Sequence, residues 1–350
     1  MDIVAKLYDG NNIKAQWINP PSLFWEEELV GTNELVFELA LTDSQLYLIK
    51  EVDKIKFFDI ADEENHLWSG WINRIELDFQ KATLYCADEK KLMERKIIYE
   101  NKNFSNKTIA EILTILCNEW NARSGESLTF ETDITDTFTK DFYKGTTYFS
   151  ILSELADLSN AEWTTRNNKI IFKENIGEDK SSGVNFIEFA SSIYSPNENT
   201  ISGFKKIRSA ANIYNAVIGK NTDQYSEKEV TNDFPRLEVL KIFSDGDLDK
   251  QTQNFLDESS VSQDEISFDV SSSQINFKDV GIGDIVAIRI EHGNPLIDMD
   301  TTVKVIYKKV DLTKGVPNFS VKLAKKTMAT KDSQNYFLGL ERQLKNLQIK

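Results

Sequence analysis

Nucleophilic and metal chemistry near neutral pH leans on histidine and cysteine. This chain of 350 residues carries only two of each: His66, His292, Cys86 and Cys117. The histidines fall in turns of different regions, so neither a histidine-based triad nor a histidine-rich metal centre is expected. The cysteines sit on apolar faces, a setting for buried thiols rather than a disulfide or a metal pair. Gly281-Ile282-Gly283-Asp284 lacks the third glycine of a dinucleotide fingerprint and leads into a strand, so it reads as a turn. The acidic runs Glu26-Glu27-Glu28 and Asp62-Glu63-Glu64 lack the spaced oxygens and the glycine of a calcium loop, and read as solvated acidic turns. Any two of the 56 acidic residues could converge as a glycosidase pair, and none stands out. Trp68 and Trp71 could form a sugar platform or pack in a core or interface. No catalytic, cofactor-binding or metal-binding residue is therefore assigned.

Composition narrows the class. Hydrophobic residues make up 40% of the chain and aromatic residues 11%, enough for real cores, while 15 glycines and 6 prolines argue against disorder or a fibrous repeat. The length suggests two to four domains. A net charge of −15 opposes binding to the outside of nucleic acid, where affinity comes from Lys and Arg on phosphates. It suits plain solubility, or a surface that must not hold nucleic acid passing nearby. No apolar run reaches the roughly 18 residues of a membrane span. The start MDIVAKLYDGNN has no basic region followed by an apolar core, so no signal peptide is expected. The expected setting is a reducing cytoplasm until the chain is assembled or released.

The elements that would carry these residues change period along the chain. Ile3–Tyr8 and Ile13–Ile18 around Asp9-Gly10-Asn11-Asn12 make a hairpin. Leu35, Phe37, Leu39 and Leu41 alternate on one strand face; Ile75, Leu77 and Phe79 share a face of the tryptophan strand, and Ala82, Leu84 and Cys86 a face of the next. Short strands at this spacing predict a barrel or sandwich. From residue 89 the period becomes helical. A helix capped by Ser105-Asn106 carries Ile109, Ile112, Leu113, Leu116, Cys117 and Trp120 on one stripe. A second runs from about Thr146 to Ser159, before a hairpin turning at Asn167-Asn168. A turn-rich connector follows, then a second β region with a helix near residues 247–258. The chain closes on a helix, about Ser333 to Gln348, where Phe337, Leu340, Leu344 and Leu347 form a two-heptad seam. Two heptads are too short to hold a coiled coil alone.

The fold class is thus α+β, mainly β. Two β-barrel domains, 1–88 and 200–330, flank a small α/β domain at 89–199, and a C-terminal helix occupies 331–350. The order of Trp68-Ser69-Gly70-Trp71-Ile72, Leu84-Tyr85-Cys86-Ala87-Asp88, Lys91 to Ile97, the Tyr148–Leu158 helix with the Trp163 hairpin, and Gly283-Asp284-Ile285-Val286 resembles the baseplate hub proteins of tailed bacteriophages. Among these is the N-terminal hub region of siphophage tail-associated lysins. The likeness covers residues 1 to about 330.

That resemblance implies a homotrimeric ring whose alternating barrels present quasi-sixfold symmetry, adapting a hexameric tail tube to a trimeric spike or fibre. It implies distal tail or tube proteins, the tape-measure protein and a central spike or fibre as partners. DNA would only pass through the bore, with no stable membrane association. The expected location is the virion tail tip, after assembly in the host cytoplasm. The lysin members carry a hydrolase or fibre region that has no counterpart before Lys350, so such activity is expected on another chain. Phe337, Leu340, Leu344 and Leu347 are the candidate oligomer or partner contact. The alternatives are a peptidoglycan-directed glycosidase and a carbohydrate-binding module of the tail tip.

Overall fold

A computed structural model describes residues 2–324 except 11, 30, 125–126, 160, 167, 183–186, 191–200, 210–213, 222–223, 231–235, 244–247, 261–262, 272–276, 292–297 and 313–317. Seven strands open the chain: β1 (Ile3–Asp9), β2 (Asn12–Ile18), β3 (Ser22–Glu28), β4 (Glu34–Ala40), β5 (Lys54–Asp59), β6 (Asp62–Leu77) and β7 (Lys81–Ala87). The helical unit comprises α1 (Glu89–Arg95), β8 (Lys102–Thr108), α2 (Ile109–Ser124), β9 (Thr129–Thr132), β10 (Thr137–Phe142), α3 (Tyr148–Ser159), β11 (Glu162–Arg166) and β12 (Lys169–Lys173). The last part holds β13 (Ile187–Ala190), β14 (Ile201–Ser209), β15 (Ala216–Lys220), β16 (Tyr225–Glu229), β17 (Glu238–Ile242), α4 (Leu248–Ser259), β18 (Gln263–Ser271), β19 (Ile285–Glu291), β20 (Met299–Asp311) and β21 (Asn318–Ala324). The chain is α+β and mainly β.

The two β regions are joined by hydrogen bonds into one sheet of 13 strands, ordered β14-β18-β21-β20-β3-β4-β7-β6-β5-β1-β2, with β19 also on β20 and β13 on β19. The joint is the antiparallel pair β3–β20, which sets Glu26 opposite Lys309, Glu27 opposite Lys308 and Glu28 opposite Tyr307. Among the described residues the ladder does not close: β2 and β14 stand at its ends. The physical reason lies in β3, which pairs with β4 on one side and spends its other edge on the distant β20. One apolar core spans both halves, from Leu7, Trp25, Phe37 and Leu84 to Val286, Val305 and Leu323. A second core belongs to the helical unit and contains the whole expected α2 stripe with Ile151, Leu152, Leu155, Trp163 and Phe172.

Several local expectations are corrected. The α2 cap is Thr108, not Ser105-Asn106, which lie within β8. The Thr108 hydroxyl accepts the Glu111 N–H while the Glu111 carboxylate accepts the Thr108 N–H, a reciprocal capping box. The run Asp62-Glu63-Glu64 forms the start of β6 instead of a turn, and the Glu26–Glu28 run lies in β3. Lysines on other strands of the sheet make this possible: Lys6 of β1 holds Glu63, and Lys309 of β20 holds Glu26 at 2.8 Å. Leu41 falls just past β4 and is exposed, unlike Leu35, Phe37 and Leu39.

Candidate assembly site

The most deeply buried of the described charged side chains, Lys90, Lys304, Asp88, Asp284 and Glu162, gather where the helical unit meets the sheet. Asp88 ends β7 and caps α1, its Oδ1 accepting the Lys91 N–H at 3.2 Å. Two residues on, Lys90 is fully buried and donates to the carbonyls of Leu29 (3.0 Å) and Gly31 (3.3 Å). Its ammonium also sits 5.1 Å from the Trp163 ring centroid, a cation–π contact. Next to Trp163, Glu162 forms an ion pair with Lys304 of β20, and its other oxygen accepts the Ile176 N–H at 2.8 Å. Burial disfavours charge on both Asp88 and Lys90, pushing the carboxyl up and the ammonium down from their ordinary ranges. Desolvation, then the neighbouring Glu26, also raises Glu28.

The Gly281–Asp284 turn belongs to the same joint. Asp284 accepts the N–H groups of Glu178 (2.9 Å) and Gly281 (2.7 Å) and pairs with Lys180 at 2.7 Å. This holds the connector against β19, with Asp179 bridged to Ile285. Gly177 and Gly283 face each other, both with positive φ (91° and 88°), and a Cβ on Gly283 would overlap the Ile176 carbonyl. The turn reading therefore holds, and the Gly-Asp pair has a mechanical task. Lys90, Glu162, Lys304 and Asp284 are buried and each is hydrogen-bonded within the joint. Chemically the arrangement can fix the helical unit to both halves of the sheet.

Outward-facing apolar groups are the second element of the candidate site. The β6–β7 hairpin runs past the core, so its tip exposes Leu77 (69%) and Phe79 (102%) although Ile75 still packs on the core. Asp78 stabilises the turn, its Oδ1 accepting the N–H groups of Gln80 and Lys81. On the β16-β15-β17 sheet, α4 covers one face and the other exposes Tyr225, Leu240 and Ile242. Trp68 is buried edge-on to Phe57, whereas its strand neighbour Trp71 points the other way, under Lys54. The two rings thus make no shared sugar platform. His66 lies against Phe58, and His292 falls outside the described residues. Cys86 and Cys117 are buried free thiols. Phe337, Leu340, Leu344 and Leu347 lie outside the described residues.

One concave feature was not foreseen in the sequence. A cleft of about 560 Å³ at the end of the helical unit is lined by Arg95, Lys96, Tyr99, Trp120, Arg123 and Tyr148. Lys96 lies 3.9 Å from the Trp120 centroid, Arg123 lies 3.8 Å from that of Tyr99, and Trp120 meets Tyr148 edge-on at 5.2 Å. The sequence signal was basic residues in the last turns of α1 and α2, each near an aromatic residue.

No protein-family model matches the sequence, and no curated protein matches it. Solved structures do match in fold. A tail protein from Neisseria meningitidis MC58 superposes with a TM-score of 0.72 at 12% identity, over 94% of this chain and 98% of that one. A 43 kDa tail protein of prophage MuSo2 from Shewanella oneidensis gives 0.68 at 13% identity, over 94% and 99%. A prophage tail protein from Listeria monocytogenes EGD-e gives 0.62 at 11% identity, over 99% and 100%. The chain thus has the fold of phage tail proteins, the class its motif order resembles.

Proposed function

We propose that this chain is a non-catalytic structural protein of a phage-type tail, a hub at the tail tip or baseplate. The observation that carries the reading is the likeness in fold to the Neisseria tail protein across nearly the whole of both chains. The buried polar joint supports it as well, because a rigid connection between units lets a tail component transmit force and keep its shape during assembly.

In this reading three copies form a ring that adapts a hexameric tail tube to a trimeric spike or fibre. Tube, tape-measure and spike proteins are its neighbours, and DNA passes through the bore. The acidic surface, with its net charge of −15, keeps DNA from sticking there. The working units are 1–88, 89–199, 200–330 and a helix at 331–350, whose Phe337, Leu340, Leu344 and Leu347 make the oligomer or partner contact. The protein is assembled in the host cytoplasm and resides in the virion tail.

Light scattering of the full chain over a concentration series tests the trimer. A mass three times 40.1 kDa is expected, falling to one chain in a Leu340→Asp, Leu344→Asp variant. A monomer at every concentration that also fails to join tails in a complementation assay would refute the hub.

A further inference from the structure

The basic–aromatic cleft points to a ligand. Its described lining holds three cations and no carboxylate, in a chain whose net charge is −15. The cations converge from separate segments: Arg95 and Lys96 from the end of α1, and Arg123 from the last turn of α2. Arg123 donates from Nη1 to the Ile97 carbonyl (2.9 Å) and to Glu119 (3.3 Å). Glu119 stands behind it and is shared with Lys102 at 2.7 Å.

The second observation is Tyr148. The residue is buried and lines the cleft, and its hydroxyl has no hydrogen bond of normal geometry, although the Arg123 guanidinium lies beside it. Burial pushes the phenol up, so it stays a protonated donor at neutral pH. A buried hydroxyl without a partner, set beside three cations, suits an anionic acceptor. The aromatic walls, with Tyr99 half-exposed at the rim, favour an anion attached to an apolar body.

The walls are preformed. Ile97 bridges to Thr147, and Tyr148 N–H donates to the Lys96 carbonyl at 3.0 Å. Ligand entry would therefore cost little rearrangement.

We infer that this cleft binds an acidic side chain, with its aliphatic neighbours, on an extended peptide segment of a partner protein. A single carboxylate satisfies Arg123, Lys96 and the Tyr148 hydroxyl together, while leucine-like neighbours cover Trp120 and Tyr99. A nucleic-acid strand fits worse, because its further phosphates would meet the acidic remainder of the surface.

The test uses the full chain and a fluorescein-labelled pentapeptide library with a fixed central Glu and Leu, Phe, Ala or Gly at the flanks. A matched library carries Gln at the centre. Anisotropy should show the best Glu peptides binding at least tenfold more tightly than their Gln counterparts. Arg123→Gln and Lys96→Gln should each weaken them about tenfold, and Tyr148→Phe about threefold, with unchanged circular dichroism. Tyr148→Phe removes one oxygen and keeps the ring, so it reads the site even if Arg123→Gln unfolds the chain. No binding by any Glu peptide, equal binding of Glu and Gln peptides, or binding indifferent to Lys96→Gln and Tyr148→Phe would overturn the assignment. So would inorganic phosphate binding more tightly than the best Glu peptide.

Discussion

The Glu162–Lys304 pair offers a sharp test of the joint. The Lys304 side chain is 0% exposed and that of Glu162 7%, and the pair ties β11 of the helical unit to β20 of the sheet. Lys304→Met leaves a buried carboxylate that keeps the Ile176 N–H and the more distant charge of Lys90 but loses its direct ion-pair partner. Stranding one member of a buried pair costs about 3–5 kcal/mol, whereas replacing both charges by neutral groups of similar shape is close to neutral. The appropriate double variant is Glu162→Gln with Lys304→Met, because the amide oxygen still accepts from Ile176. Urea unfolding would be followed by the fluorescence of the six tryptophans, among them Trp163 next to the pair. With a slope of about 3 kcal/mol per molar urea, Lys304→Met should lower the midpoint by about 1–1.7 M. The double variant should lie within about 1 kcal/mol of the parent. If Lys304→Met costs less than about 1 kcal/mol, or if the two single losses add in the double variant, the pair is not a buried, coupled link.

Three further outcomes follow from the structure. Asp88→Asn keeps a capping oxygen but removes the charge; since burial raises the folded Asp88 carboxyl above its unfolded value, the parent's stability from this group is present below about pH 4 and falls as pH rises through the folded value, so the stability advantage of the variant should grow with pH across that window in urea melts. Gly283→Ala should cost at least about 2 kcal/mol in the same melts, because φ is +88° and the new methyl overlaps the Ile176 carbonyl, whereas Gly10→Ala at the open hairpin turn should cost less. Cys86 and Cys117 should react with a thiol reagent only as the protein unfolds, since burial raises both thiols, Cys117 to about 11; rapid labelling of the native chain would contradict that.

Local pattern made the helical unit legible. The α2 stripe follows a 3.6-residue period, α3 begins within two residues of the expected Thr146, and the Glu162–Arg166/Lys169–Lys173 hairpin turns at Asn168 with a φ of 57°. The Thr108–Glu111 capping box was also written locally, but the polar Ser105-Asn106 pair competed for the same role. Partnership between distant strands was not legible: nothing in Phe24-Trp25-Glu26-Glu27-Glu28 says that its edge is completed by Tyr307–Asp311. The cleft stayed hidden for the same reason, since its cations come from separate helix ends that mean nothing until α1, α2 and α3 are packed. Glycine and aspartate at 283–284 were visible, but the connector they hold was not.

The seam between β3 and β20 also sets a schedule for synthesis. Glu26 and its partner Lys309 are 283 residues apart. At about 5–20 residues per second, β3 waits roughly 15 to 60 seconds on the ribosome for the strand that completes it. An open strand edge for that long invites pairing with another nascent chain. Three consecutive glutamates on β3 make the waiting edge repel its own kind, and Lys308 and Lys309 on β20 turn the same charges into attraction when the proper strand arrives. The acidic run is in this sense a guard on an unfinished edge, relieved by the strand it was kept for.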